Sequence, residues 1–317
     1  MSATLFERDG NAVESADRVS VEDHLRAGEF FWLDLEDPDE SDYQILLETF
    51  EFHPLAVEDS QDFGQRAKLE TYGDYIFLVV YGWSPDDDDL VEVHCFYSER
   101  FLVTVHRDDA PALDELKESC VANRVDLRDP ALTLHRIVDR LVDSFFPVLD
   151  GFDAELEELE GQFFQSTRDE PLRQLFSMKR RLATLRRAIA PERDLFAHLG
   201  QEDIPGLDKE SANYFRDVSD HLYRLAESID GFHELTLGAM DVFLSSSSNR
   251  MNQVMKQLTI IATIFLPLTY IAGFFGQNFG FMVDNVGSAG AFVLGGVLLQ
   301  LATATFLILY FRRKHWL

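Results

Sequence analysis

The residues best placed to do chemistry in this chain recur at helical spacing near its end. Asp241, Ser245, Ser248, Asn252, Met255, Thr259, Ala262, Leu266, Thr269 and Gly273 follow one another every three or four positions. They therefore share one face of a helix. Most are small or carry an oxygen, and the row ends at Gly276, Gln277 and Asn278. Such a face, held for about nine turns at 3.6 residues per turn, is what several symmetry-related helices present around an axial channel. Its apolar part contains no carboxylate, so it cannot strip water from a strongly hydrated divalent ion. Mg²⁺ dehydrates reluctantly, and hydroxyl, amide and carbonyl oxygens can hydrogen-bond to the shell it keeps. The same residue types also serve ordinary helix–helix packing in membranes, and Gly276-xxx-Gly280 matches the small-xxx-small pattern. Spacing alone leaves both readings open.

The element that positions this face is long. Leu258–Phe275 has eighteen residues without a charge, which meets the roughly 17–25 needed to cross about 30 Å of hydrocarbon. Ala289–Phe311 is a second charge-free run, and the segment 276–288 between them carries Asp284 but no Lys or Arg. Arg250 and Lys256 precede the first span, and Arg312, Arg313 and Lys314 follow the second. The positive-inside rule then puts both ends in the cytoplasm and the loop outside. Two spans cannot enclose a pore by themselves, so transport would demand an oligomer. Upstream, no proline interrupts Asp208–Phe275 except Pro267, whose freed backbone groups neighbouring helices can satisfy in a membrane. A continuous helix there would be on the order of 100 Å long. Phe215, Val218, Leu222, Leu225, Ile229, Phe232, Thr236, Ala239 and Phe243 form a seam along it, to be packed against another helix.

Residues 1–130 read as mixed α and β. Strand-like runs occur at Phe30–Leu35, Tyr75–Tyr81, Val91–Tyr97 and Phe101–His106, with a helical stretch from Ser41. The expected arrangement is a meander with helices on one face, and with Tyr75–Tyr81 stopped at Gly82 and Ser84-Pro85. From Ala131 the period is helical: one helix over Leu132–Phe164, another from Glu170-Pro171 to Ala190-Pro191, and a break at Pro205-Gly206. Glu155, Glu157, Glu158 and Glu160 form a solvated outer face. Three segments result: a cytoplasmic α/β domain (1–130), a helical domain and stalk (131–257), and a transmembrane hairpin (258–317). The fold class is α+β with a long helical stalk and two C-terminal spans.

Whole-chain features narrow the function by exclusion. A net charge of −28 argues against nucleic acid, whose phosphates need Lys and Arg. Only six of the 28 basic residues are Lys, which suggests a solvated acidic surface. Cys95 and Cys120 lack metal-type spacing and imply no disulfide framework. The N-terminus has no apolar h-region. No nucleotide fingerprint follows a strand. His53, His94, His106 and His135 stand singly, no HExxH occurs, and no nucleophile–base pair is placed together. An enzyme is not expected.

The stretch Met240–Met282, MDVFLSSSSNRMNQVMKQLTIIATIFLPLTYIAGFFGQNFGFM, resembles the core signature of the CorA-type divalent-cation transporter family. The basic tail ending Lys314-His315-Trp316-Leu317 fits it too, and the order of domains is similar throughout. The resemblance implies a funnel-shaped homopentamer in the cell membrane that takes up Mg²⁺, with Co²⁺ or Ni²⁺ as further cargo. Asn278 resembles the Asn of the family's Gly-Met-Asn signature, whose carbonyl ring receives a hydrated ion. Thr269 and Asn252 match polar pore rings, and Gly273 matches a backbone ring. Met255, Leu258 and Leu266 match apolar constrictions; spacing names Thr259 where the resemblance names Leu258. Asp241 resembles an acid at the subunit interface where regulatory Mg²⁺ sits, with a partner expected among Asp86, Asp87, Asp88 and Asp89. A solvated turn is the plain alternative for that acidic loop. Asp284 matches an external-loop acid, while Gly280 lacks one that relatives often carry. Gln277 departs from the family's Met and resembles the zinc-transporting branch, so a Zn²⁺ importer, proton-coupled or not, is the alternative. A membrane-anchored sensor or scaffold is the reading from another class.

Overall fold

The computed structural model describes residues 2–122, 125, 127–163, 170–199, 204–207 and 211–316. They belong to two compact units, Met1–Met240 and Asp241–Leu317. The first unit opens with strands β1 (Ser2–Glu7) and β2 (Ala12–Glu14), helix α1 (Arg18–Ala27) and strand β3 (Phe31–Glu36). Helices α2 (Glu40–Glu48) and α3 (Pro54–Gln61) lead to strands β4 (Lys68–Tyr72), β5 (Tyr75–Ser84), β6 (Asp89–Tyr97) and β7 (Phe101–His106). Helices α4 (Pro111–Val121), α5 (Pro130–Asp143), α6 (Phe146–Phe163) and α7 (Glu170–Leu199) follow. Helix α8 (Ser211–Phe275) continues into the second unit, which ends with α9 (Gly280–Val286) and α10 (Ala289–Arg313).

The seven strands form one sheet in the order β2-β1-β3-β7-β6-β5-β4. The expected meander is β4 to β7, all antiparallel, and β3 adds to it in parallel beside β7. Helices cover both faces of this sheet, where one was anticipated. Every residue of β5 is buried, and a strand without a wet side needs cover on both. On one face Leu141 of α5 closes on Gly82, where a Cβ would stand 2.8 Å from Leu141 Cδ2. Gly82 thus admits the helix and does not stop the strand. On the other face Phe52 stacks on Phe96 at 4.3 Å and Phe63 on His94 at 4.7 Å, both from the α2–α3 region.

Asp34 and Glu192, two of the acids buried in this unit, stand in opposite surroundings. Asp34 on β3 accepts from Thr104 Oγ1, which in turn accepts from Trp32 Nε1 at 2.9 Å. Lys117 Nζ of α4 lies 2.7 Å, and His106 Nε2 3.5 Å, from Asp34 Oδ2. Burial opposes ionisation of Asp34, but the bonds and charges of His106 and Lys117 outweigh it and hold the carboxyl at about 2.

Glu192 on α7 is the opposite case. One oxygen accepts from the Tyr81 N–H, and the other has no partner. Burial pushes its carboxyl up to about 8 against the pull of that hydrogen bond, so it is protonated at neutral pH. Its stabilising share is therefore complete below the unfolded value of about 4.3. It is lost as pH rises towards about 8. Glu192→Gln cannot ionise. It should gain on the order of 2–4 kcal/mol over the parent chain between about pH 5 and pH 8. Thermal unfolding of the full-length protein across that range checks this; parallel pH profiles would contradict it.

The helical half differs from expectation at two places. The single helix expected over Leu132–Phe164 is two, α5 and α6, broken at Ser144 and Phe145; Phe164 and Asp208 lie outside the described residues. Ser144 Oγ accepts from the Trp83 N–H at 2.7 Å, and Pro147 has no N–H to continue the ladder. Conversely α7 does not end at Pro191 but runs through it to Leu199. The seam of α8 from Phe215 to Ala239 is buried, apart from half-buried Phe232. Phe196 stacks on Phe215, and Thr236 meets Met178 Sδ at 3.4 Å. Of the four glutamates of α6, three are exposed, while Glu155 is half-buried and pairs with Arg181.

Candidate functional site

In the second unit α8 remains helical to Phe275 through Pro267. Lys256, Ile260, Ile264, Pro267, Leu268 and Ile271 are shielded, at helical spacing. Their row runs between two contacts with α10 and its tail. At one end Lys256 Nζ donates to the His315 carbonyl at 3.2 Å and lies over the Trp316 ring. At the other the Phe275 ring fills the place a Cβ of Gly295 would take, 2.7 Å away. One turn of helix advances 3.6 residues, so Asn252, Met255, Leu266, Thr269 and Gly273 fall on the opposite face. All are exposed in the single chain, as are Asp241, Leu258 and Thr259. The apolar exposure is heavy: Leu266 is 77% accessible and Tyr270 73%. Surface of this kind on a long helix calls for lipid or further copies of the chain.

Local chemistry suits a wetted face. Thr269 Oγ1 donates to the Phe265 carbonyl at 2.9 Å, and Thr259 Oγ1 to that of Met255 at 2.8 Å. The hydroxyl hydrogens are thus spent within the helix, which leaves the oxygens as acceptors. The helix closes where Gly276 N donates to the Ala272 carbonyl at 3.0 Å. Gly276, Gln277 and Asn278 are exposed beyond it and line a cavity of about 560 Å³ with Met282, Phe292 and Gln300. The segment 276–288, read as loop, contains α9, on which Asp284 is exposed. The second span extends to Arg313 and carries a π-helical stretch, Phe292–Leu298, at its Gly295-Gly296 pair.

Asp86, Asp87 and Asp88 lie in the turn between β5 and β6, and Asp89 opens β6. Asp88 Oδ1 already holds Arg181 at 3.1 Å, and Asp87 meets Ser84 Oγ at 3.3 Å. Asp86 and Asp89 are the less committed members. The single histidines are mostly occupied: His53 caps α3, His94 lies 2.7 Å from Glu92, and His106 serves Asp34. His135 is the exception, because the fold brings it to acids of α5 and α8 and so overturns its isolation. The signal in the sequence was the four-residue spacing of His135, Asp139 and Asp143, and of Asp217 and His221.

Comparison with known proteins decides the family. The description of the CorA-like Mg²⁺ transporter protein family matches residues 27–313. The chain belongs to that family. It is 34% identical over 280 residues to the cobalt/magnesium transport protein CorA of Thermotoga maritima, covering 86% of this chain and 79% of that one. The complete structure of the CorA magnesium transporter from Methanocaldococcus jannaschii superposes with a TM-score of 0.85 at 22% identity, covering 100% of this chain and 99% of that one. The zinc transport protein ZntB of Yersinia pseudotuberculosis is 24% identical over 325 residues, 98% of this chain and 95% of that one. This CorA-like chain is therefore a membrane protein that transports divalent metal cations, not an enzyme. Its two helices long and apolar enough to cross a membrane fit that role.

Proposed function

We propose that the chain takes up Mg²⁺ through a pore on the axis of a homopentamer, with Co²⁺ and Ni²⁺ as further cargo. The observation that carries this is the division of α8. Its Ile260 side is shielded along the row that ends on α10, while the side with Asn252, Leu266, Thr269 and Gly273 stays open. Copies of the same helix would close that face into a channel. Asn278, Gln277 and Gly276 would form the outer mouth, where amide oxygens accept hydrogen bonds from a hydrated ion. Met255, Leu258 and Leu266 would be apolar constrictions that gate by dewetting. The flanking basic residues support cytoplasmic termini and an external Asp284.

Regulation would act through Asp241 and an acid of the neighbouring subunit, Asp86 or Asp89 before Asp88, which is engaged by Arg181. Bound Mg²⁺ neutralises the facing carboxylates; when internal Mg²⁺ falls, repulsion loosens the closed state. The 34% identity to a cobalt/magnesium transporter favours Mg²⁺. Gln277, with the likeness to a zinc transporter, supports Zn²⁺ as the second reading. Purified protein in liposomes should admit Mg²⁺ without a pH gradient. Entry of Zn²⁺ alone, or only with a proton gradient, would overturn the leading reading.

A further inference from the structure

Among the described residues, one cluster outside the pathway brings metal-ligating side chains together. On α5, His135, Asp139 and Asp143 share a face at four-residue spacing, and α8 presents Asp217 and His221 to them. They form two sets of three, His135–Asp139–Asp217 and Asp139–Asp143–His221. Within each set one donor atom per residue lies within 4.8 Å of the others. Donors around a tetrahedral Zn²⁺ stand about 3.4 Å apart, given ligand bonds near 2.1 Å. Modest side-chain rotation therefore closes either set.

We propose that this cluster is a transition-metal site, with Asp139 the ligand common to both sets and an imidazole in each. Its chemical class follows from the donors. Imidazole suits Zn²⁺, Co²⁺ and Ni²⁺, whereas Mg²⁺ prefers an all-oxygen shell. The site is thus distinct in kind from the oxygen donors of the pathway and from Asp241.

An ion-pair cluster is the competing account, and the geometry argues against it. Both ring nitrogens of His135 and Asp139 Oδ1 are buried without a hydrogen-bond partner. His221 Nδ1 lies 3.1 Å from Asp143 Oδ1 and 3.7 Å from Asp139 Oδ1, yet forms no hydrogen bond. The rings are already oriented: His135 packs edge-on to Phe215 and His221 edge-on to Phe146.

The test uses full-length protein in detergent, stripped with chelator and kept in excess Mg²⁺ to occupy oxygen-only sites. Co²⁺ is titrated while its ligand-field absorption is read, and Zn²⁺ then displaces it. A tetrahedral Co²⁺ spectrum in the parent chain is expected. Losing a contact even outside the ligand shell costs about 10–100-fold in affinity, so Asp139→Asn should lose at least that. His135→Asn and His221→Asn identify the occupied set, the relevant one losing the spectrum. Asp217, whose side chain is 65% exposed, provides a variant that folding does not depend on. Asp217→Asn should weaken Co²⁺ in the first set while leaving the circular dichroism unchanged. If Co²⁺ absorption and Zn²⁺ affinity are the same in Asp139→Asn as in the parent, the cluster is an ion-pair network and the proposal fails. Transport of any cation is not needed for this outcome, so it stands or falls apart from the pore.

Discussion

Asn278→Ala should leave the protein folded and inserted in the membrane but abolish divalent-cation uptake into liposomes. Asn278 is exposed just beyond the end of α8. Among the described residues its side chain makes no hydrogen bond that holds the chain together. Its loss therefore carries no folding penalty of the kind that follows removal of a buried partner. In the proposed homopentamer, the alanine would remove one carbonyl acceptor from each subunit. A Mg²⁺ ion arriving with its shell would find no groups to orient those waters, and it sheds them reluctantly. Gln277→Met is the paired variant. It keeps the Asn278 amide, so flux should persist, with any change appearing in the ratio of Mg²⁺ to Zn²⁺ uptake. Undiminished uptake by Asn278→Ala would remove Asn278 from the pathway. No uptake by the parent chain for any cation would favour the sensor or scaffold reading.

The largest effect on stability should come from Asp34→Ala. Asp34 is 1% exposed, and it is the acid that Lys117, His106 and Thr104 share. Breaking a buried pair by removing one partner costs about 3–5 kcal/mol, because the other charge stays buried without compensation. The folded Asp34 titrates at about 2, well below an unfolded carboxylate. Its contribution is thus complete above about pH 4, the unfolded value, and is lost as pH falls towards about 2. His106 is shifted up; burial opposes this, but the Asp34 bond and charge prevail. Its own share is present below the unfolded value of about 6.5 and is lost as pH rises through the folded one. Thermal unfolding of the full-length protein at neutral pH should show the loss in Asp34→Ala, and the gap should narrow in acid. A constant gap down to about pH 3 would mean that Asp34 acts through packing and not through its charge.

How much of this was legible beforehand depends on the range of each signal. The apolar runs at Phe31, Tyr75, Val91 and Phe101 identified β3, β5, β6 and β7, because a buried strand is written in consecutive residues. β1, β2 and β4 were not found. They lie at or beside the sheet edges, and Lys68–Tyr72 mixes charged and polar residues with apolar ones, half-buried except for exposed Thr71, so no buried apolar run marks the strand. The break at Ser144 escaped because it depends on an N–H of β5, far away in sequence. The covering of both sheet faces escaped for the same reason.

The sequence by itself determined the length and continuity of α8, its buried seam, the two membrane spans and the family. Each is encoded in local hydrophobic period or in a contiguous motif, which needs no knowledge of what lies opposite. Only the tertiary structure decided which side of the first span packs on α10 and which side stays open. It alone showed that Asp88 is already engaged, and that His135 and His221 meet around Asp139. Those facts arise where separate elements approach, and burial of donors without partners becomes visible only once both sides are in place.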